Sequence, residues 1–155
     1  MKEREAAFDA VENIPSIKQK AEFSYKWMNF INEVDELRTD EDRKKFLLNI
    51  VAFAACNEGL FFFGAFAYVY FLRSKGLLNG LATGTNWVFR DESLHISFAY
   101  EIVNTIRREY PELFDEDFRQ QVIVMMGEAI ECEMLFADDI LSGGVAGLPK
   151  SDMRK

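Results

Sequence analysis

The sequence contains a single histidine, His95, among its 155 residues. One imidazole excludes any site that takes two histidine ligands from this chain alone. It also leaves no second histidine to serve as the base for a serine or cysteine nucleophile. Hydrolytic mechanisms of that kind therefore have no support in the sequence.

Cysteine is almost as scarce, since Cys56 and Cys132 are the only two and form no CxxC pair. Both lie in apolar or helix-like sequence, where a reduced, buried thiol is the usual state in a cytosolic protein. The first residues are highly charged and no apolar segment follows them, so we predict no signal peptide. These features predict a cytoplasmic protein.

Positive charge is also in short supply. The chain has 18 Lys and Arg against 26 Asp and Glu, a net charge of −8 and a pI near 4.8. No basic cluster interrupts this acidic balance, which argues against a nucleic-acid interface. We therefore expect no nucleic-acid partner.

Apolar and aromatic residues dominate what is present. Hydrophobic residues make up 49% of the chain and phenylalanine occurs 15 times, so a disordered chain is excluded. The sequence shows no strand pattern and no fixed repeat. It predicts one all-α domain over residues 1–155, a bundle of about four helices. Their predicted bounds are 1–31 with a break at Pro15, 41–75, 77–110 and 116–141.

The second predicted helix is apolar enough to span a membrane, because Glu58 is the only formal charge between residues 46 and 72. Asn49, Asn57 and Glu58 lie near its middle, and the rest of the chain is acidic and amphipathic. A helix buried in a bundle is therefore favoured, and we expect no membrane partner.

Two details bear on the shape of this second helix. Asp40 resembles its N-cap. Gly59 and Gly64 lie in its interior, where each costs about 1 kcal/mol relative to alanine. We therefore expect a local bend or a close helix contact beside Glu58.

Three ionisable side chains stand out as candidate ligands. Glu58 lies inside a Phe-rich, helix-like run and is expected to be buried with no charged partner nearby in sequence, which is costly unless it is paired or bound to a metal. Glu92 and His95 are three residues apart and share one face of a helix. They belong to a stripe expected to face the bundle core: Leu81, Thr85, Val88, Glu92, His95, Ala99 and Ile102.

Two inward carboxylates and one imidazole make half of a carboxylate-bridged dimetal site, which takes a Glu from one helix and a Glu-x-x-His from another. The alternative is a buried ion pair, or a core histidine satisfied by hydrogen bonds. Three further glutamates on the fourth helix are predicted to be solvated or supporting groups and not ligands, namely Glu128, Glu131 and Glu133.

Four motifs lie in a fixed order that spans nearly the whole chain: residues 8–15 (FDAVENIP), 57–63 (NEGLFFF), 90–95 (RDESLH) and 147–149 (GLP). With these motifs the chain resembles the small, radical-generating subunit of class I ribonucleotide reductase, a ferritin-like helical protein. The resemblance implies that Glu58, Glu92 and His95 are ligands of a dinuclear iron or manganese-iron centre.

The resemblance also implies roles for four neighbouring residues. Asp91 corresponds to an aspartate that orients a histidine ligand from the other half of the site. Phe62, Phe66 and Val88 match an apolar pocket that protects the oxidised cofactor or a tyrosyl radical. Carboxylate and imidazole ligands suit iron and manganese alike, so the metal stays open.

The chain departs from the family in one large respect. The remaining ligands of the family, an Asp or Glu and a second Glu-x-x-His, come from helices N-terminal to the portion present here. The chain therefore resembles the C-terminal half of the bundle, to be completed by another chain. A natural split, a fragment and a degenerate homologue are the open explanations, and a segment that continues beyond the C-terminal residues is expected.

The implied partners are a complementary N-terminal small-subunit chain or segment and the large ribonucleotide reductase subunit. We also expect an oligomer, because apolar faces of the second and third helices would otherwise be uncovered. The implied function is a component of ribonucleoside-diphosphate reductase, inactive alone, that serves deoxyribonucleotide biosynthesis and DNA replication. The alternatives are another ferritin-like dimetal oxidase or oxygenase, or a helical interaction module without metal.

Overall fold

The computed structural model describes residues 9–29 and 36–142, and every regular element in those ranges is helical. This confirms the all-α prediction. The motif at 147–149 lies outside the described residues. The elements are α1 (Ala10–Asn13), α2 (Pro15–Met28), α3 (Asp40–Val51), a π-helical segment (Ala52–Phe61), α4 (Phe62–Ser74), α5 (Asn79–Glu109), a 3₁₀ turn (Pro111–Leu113) and α6 (Glu116–Ile140).

The predicted break at Pro15 is confirmed, because α1 ends before Ile14 and α2 begins at Pro15. Ile14 has an extended backbone, and Pro15 occupies the first helical position, where its missing N–H costs nothing. The next amide, Ser16 N–H, donates to Asp139 Oδ2 at 3.0 Å. A carboxylate from α6 therefore caps the start of α2 and ties the two helices together.

The second predicted helix is one continuous helix from Asp40 to Ser74, but its predicted cap was wrong by one residue. Thr39 is the N-cap: its Oγ1 accepts from Asp42 N–H at 3.1 Å, and Asp42 Oδ2 accepts from Thr39 N–H at 3.0 Å. This reciprocal capping box requires a carboxylate three residues after the cap, and Asp42 occupies that position. Asp40 therefore lies in the first turn of the helix.

The middle of this long helix, Ala52–Phe61, is π-helical. The N–H of Phe62 donates to Asn57 O, five residues back. A Cβ at Gly59 would lie 2.9 Å from the backbone oxygen of Ala54, so only glycine fits this turn. The expected irregularity beside Glu58 is thus present as a change of helix type, a feature often found at functional sites.

A short turn with two left-handed residues joins α4 to α5. Gly76 has φ of 77° and Leu78 has φ of 50°. The predicted helix end at Gly76 is confirmed, and α5 begins at Asn79 and not at the predicted residue 77. At the far end, Asp115 Oδ1 accepts from Phe118 N–H at 2.9 Å and caps α6.

The buried core lies between α2, α3, the π-helical segment and α6. Leu47, Leu113 and Met125 are its largest fully buried apolar side chains. The two cysteines are also here, free and buried, as predicted. Cys56 Sγ donates to Met126 Sδ at 3.6 Å, and burial raises the pKa of the Cys56 thiol to about 11.

The predicted inward stripe of α5 is only partly buried. Thr85 and Glu92 are buried, but Leu81 is 54% exposed, Val88 44%, and the His95 side chain 58%. The expectation of burial was therefore wrong for these three, because the helices of residues 9–29 and 36–142 leave this part of α5 without a cover.

Among the described residues, the helix Asp40–Ser74 is long and apolar enough to cross a membrane, and 44% of its most apolar window is buried. Core helices of soluble proteins meet the same criterion. Length and composition alone are therefore weak evidence for a membrane span.

Candidate metal centre

Glu58, Glu92 and His95 converge, although Glu58 comes from the π-helical segment and the other two from α5. His95 Nδ1 lies 3.3 Å from Glu58 Oε1 and 3.2 Å from Glu92 Oε2. One ligand atom from each of the three lies within 4.8 Å of the others. Within the described residues, this is the one group of three or more His, Cys, Asp or Glu side chains placed to hold a metal ion.

The two carboxylates are buried while the imidazole faces the groove. Glu58 is 6% exposed and Glu92 8%. Burial, and then the negative charge of Glu92, raise the pKa of Glu58, while His95 opposes the rise. The hydrogen bond to Glu92, aided by the charge of Glu58, raises the pKa of His95. The site therefore concentrates negative charge that a cation would neutralise.

The ligand cluster borders an apolar groove with a cavity volume of about 750 Å³. Glu58 and His95 contribute ionisable side chains to its wall, and Asn49 adds an amide. The remaining lining residues are apolar: Met28, Phe46, Ile50, Phe53, Phe98, Ala99 and Ile102. Such a lining keeps the local dielectric low and strengthens electrostatic interactions at the cluster.

Phe62 and Phe66, two of the residues expected in the protective pocket, have ring centroids 6.3 Å apart. Phe66 belongs to a larger ring cluster that joins α4 to α5, in which the ring centroids of Phe63 and Phe89 lie 4.7 Å apart with their planes tilted by 49°. Phe62 and Val88 are each 44% exposed. Sequence reasoning missed Phe89, although its position three residues before Glu92 places it on the ligand side of α5.

Asp91 lies on an exposed part of α5, next to Glu92 in sequence. Its expected role concerns a histidine from another part of the site, so that role stays a prediction.

The three glutamates of α6 lie in different surroundings. Glu131 is exposed, and Glu128 accepts hydrogen bonds from Lys26 Nζ at 2.6 Å and Trp27 Nε1 at 2.8 Å. Glu133 forms an ion pair of low exposure with Lys20 of α2. The sequence held one signal for it, since Glu133 is four residues after the buried Ala129 and so shares its face.

The donor set fits half of a dinuclear iron or manganese centre. Two carboxylates and one imidazole are ligands that both metals accept, and they come from one Glu and one Glu-x-x-His, as in ferritin-like carboxylate sites. Two buried carboxylates in hydrogen-bond reach of one imidazole leave excess negative charge for a cation. The three side chains therefore suit such a centre both in their ligand type and charge and in their position.

The family model of the ribonucleotide reductase small chain matches residues 1–155. The chain belongs to this family. Among curated members, it is 36% identical over 152 residues to a ribonucleoside-diphosphate reductase small chain of Arabidopsis thaliana, covering 98% of this chain and 40% of that one. It is 32% identical over 151 residues to the small subunit of Dictyostelium discoideum, covering 97% and 38%.

A solved structure of similar fold agrees with this family assignment. A Bacillus halodurans protein described as a class I ribonucleotide reductase superposes with a TM-score of 0.84 at 25% identity, covering 97% of this chain and 51% of that one. The ferritin-like helical prediction is thereby confirmed. The chain spans about two fifths of the length of these curated small chains.

Proposed function

We propose that the chain contributes Glu58, Glu92 and His95 as ligands to a dinuclear iron or manganese-iron centre of a ribonucleoside-diphosphate reductase small subunit. The observation that carries this proposal is the convergence of the three donor atoms within 4.8 Å of one another. Family membership supports it, as does the burial of both carboxylates, which would repel each other without a cation.

Each ligand would act through atoms that already face the cluster. Glu58 and Glu92 would bind through carboxylate oxygens, and His95 through a ring nitrogen. When bound, the metal pair would react with oxygen and supply the oxidising equivalent for converting ribonucleotides to deoxyribonucleotides. The apolar groove would limit water near the ligands, and the rings of Phe62 and Phe66, with Val88, would shield the oxidised state.

Three protein ligands leave a dinuclear centre incomplete. We infer that a complementary N-terminal chain or segment supplies an Asp or Glu and a second Glu-x-x-His, and that it covers the apolar groove. Asp91 would then orient the incoming histidine. The assembled small subunit would oligomerise and act in the cytoplasm with the large reductase subunit, in deoxyribonucleotide synthesis for DNA replication.

One observation favours a second candidate function. His95 Nδ1 is within hydrogen-bond distance of both carboxylates, so the three side chains can form a polar network without metal. In that case the chain would be a helical interaction module, and the carboxylates would be held by the imidazole alone.

Metal content separates the two candidates. The 155-residue chain is incubated anaerobically with Fe²⁺ or Mn²⁺, alone and with a polypeptide that carries the missing Asp or Glu and Glu-x-x-His, and bound metal is measured after desalting. We expect two metals per assembled site. His95→Gln should weaken binding by about tenfold or more, because it removes the only nitrogen ligand of this half.

The matched control is Glu101→Gln, an exposed carboxylate on the same helix, which should bind metal like the wild type. An assembled pair that holds no metal, or a His95→Gln variant that keeps full metal content, would contradict the proposal and favour the polar network.

A further inference from the structure

The proposed centre does not use the ion pair of low exposure that joins α2 to α6. Lys20 Nζ lies 2.6 Å from Glu133 Oε2, and each side chain is 16% exposed. Burial raises the pKa of Glu133, and the Lys20 ammonium opposes that rise. Taking two charges out of water is costly, so the contacts of this pair indicate which part of the fold it supports.

Both members of the pair contact the long helix that carries Glu58. Lys20 Nζ lies 4.7 Å from the centre of the Phe61 ring of this helix, within cation-π range, and 3.8 Å from the ring of Phe136 on α6. A methyl group built on Gly64 would overlap Glu133 Oε1. The Glu133 carboxylate therefore occupies space that only a glycine at position 64 leaves open.

These contacts fall at one defined place. Phe61 is the last residue of the π-helical segment, and Gly64 lies in the first turn of α4. The ion pair therefore holds the junction at which the π-helix returns to an α-helix, three residues beyond Glu58.

α2 also holds the segment on the other side of Glu58. Ser24 Oγ donates to Asn57 Oδ1 at 3.2 Å, and Asn57 Nδ2 donates to Met28 Sδ at 3.5 Å. Lys20, Ser24 and Met28 are spaced by four residues and so share one face of α2. Glu58 thus lies between two residues, Asn57 and Phe61, that the same face of α2 contacts.

We propose that Lys20 and Glu133 are positioning residues that fix the C-terminal end of the π-helical segment and so direct the Glu58 carboxylate toward Glu92 and His95. A π-helix is a rare conformation that needs support from its surroundings. Without the pair, the segment relaxes toward α-helical hydrogen bonding and turns Glu58 about the helix axis. The inference rests on the proposed function, because it gives the direction of Glu58 its importance.

The chain offers a matched control in Lys26 and Glu128. This ion pair joins the same two helices over the same 2.6 Å, but its side chains are 56% and 34% exposed. Its further contacts are with Trp27, through the ring and through Nε1, and not with the π-helical segment.

The first experiment needs no metal. Amide hydrogen exchange is measured on the full 155-residue chain for the wild type, Glu133→Gln and Glu128→Gln. We expect exchange over residues 52–61 to be about tenfold faster in Glu133→Gln, because the largely covered ammonium of Lys20 loses its charged partner. Glu128→Gln should leave those amides as in the wild type. Equal exchange in the two variants, or a uniform rise across α2, α5 and α6, would overturn the proposal.

The second experiment measures the Mn²⁺ affinity of the chain assembled with the complementary polypeptide, from the electron paramagnetic resonance signal of free Mn²⁺. Glu133→Gln should bind about tenfold more weakly than Glu128→Gln, as expected when a group supporting a ligand is lost. Equal affinities would overturn the proposal. A wild type that binds no Mn²⁺ would contradict the proposed centre instead, and the exchange experiment would then decide the inference by itself.

A third variant covers the case in which Glu133→Gln does not fold. Glu133→Asp keeps the charge and shortens the side chain by one methylene, which withdraws it from Lys20 and from Gly64. It should accelerate exchange over residues 52–61 in the same direction by a smaller factor, and unchanged exchange there would overturn the proposal.

Discussion

Asp115 makes two interactions at the start of α6. Its Oδ1 accepts from Phe118 N–H, and its Oδ2 faces Lys44 Nζ across an ion pair with α3. Lys44, and then the Phe118 amide, lower the pKa of Asp115. A carboxyl whose pKa is lowered by folding stabilises the protein above its unfolded pKa, and this contribution is lost as the pH falls through the folded pKa.

Asp115→Asn should therefore change the acid side of the stability profile. Asparagine still caps the helix but cannot attract Lys44 by charge. We expect the variant to be less stable than the wild type near neutral pH. The difference should begin to shrink below about pH 4, where aspartate in the unfolded chain takes up a proton, and should vanish below the lowered pKa of folded Asp115. Urea unfolding across this pH range measures the difference in the free energy of unfolding between the variant and the wild type. A difference that does not vary with pH, or the same trend in the exposed control Glu112→Gln, would contradict the assignment.

Sequence could identify some of the site residues and not others, for a physical reason. Glu92 and His95 lie on one helix, where the 3.6-residue period fixes their common face. The approach of Glu58 depends on how two helices pack. The sequence predicted it only indirectly, from the cost of burying a lone carboxylate and from the known pattern of dimetal sites, and the family resemblance implied the same ligands. The surroundings of Glu133 depend on Gly64 of another helix, a pairing that no local pattern encodes.

At the scale of elements, the π-helical segment needs a residue without a side chain at position 59. At Gly59 a Cβ would stand 2.9 Å from Ala54 O, a backbone atom that cannot move aside without changing the hydrogen bonds of the turn. Alanine is otherwise the better helix former by about 1 kcal/mol. The local geometry and the intrinsic propensity therefore oppose each other at this position.

Gly59→Ala should consequently lower the free energy of unfolding, by about 1 kcal/mol or more, against the direction of helix propensity. Gly84→Ala is the matched control, since Gly84 lies inside α5 with no atom near its missing side chain. It should stabilise the fold by up to about 1 kcal/mol. Urea unfolding of both variants tests the contrast. If both variants are stabilised, the turn tolerates a methyl group at position 59 and the assignment is wrong.

At the scale of elements, sequence patterns located the helices well, because capping residues, Pro15 and Gly76 mark their ends. They did not reveal the π-helix. Between residues 52 and 61 the only polar side chains are those of Asn57 and Glu58. Because these two are adjacent, they do not report the period of the helix. Gly59 was the one available signal, and a glycine alone predicts a bend as readily as a change of helix type.

At the scale of the whole molecule, the described chain exposes several large apolar side chains on α5 and beside the groove. Trp87 is 74% exposed, Phe98 69%, Leu94 62% and Phe53 51%. Exposed apolar patches of this kind mark surfaces that bind another protein. This exposure supports the proposed association with another chain.

Phe98→Ser should reduce that association. Phe98 lines the groove, so its removal takes apolar area from the exposed face without emptying the core. We expect sedimentation velocity at micromolar concentration to show a larger monomer fraction than for the wild type. Tyr25→Ser is the control, as an equally exposed aromatic on α2. An unchanged distribution for Phe98→Ser, or a wild type that is wholly monomeric, would contradict the expectation.

The packing of α2 on α6 also sets the order in which the protein can be completed during synthesis. Ser16 bonds to Asp139 across 123 residues, and Lys26 to Glu128 across 102. A ribosome adding about 5 to 20 residues per second needs roughly 5 to 25 seconds to make the chain between them. For that time α2 lacks its contacts with α6, although the helix that carries Phe61, which packs against Phe23 of α2, has already been made.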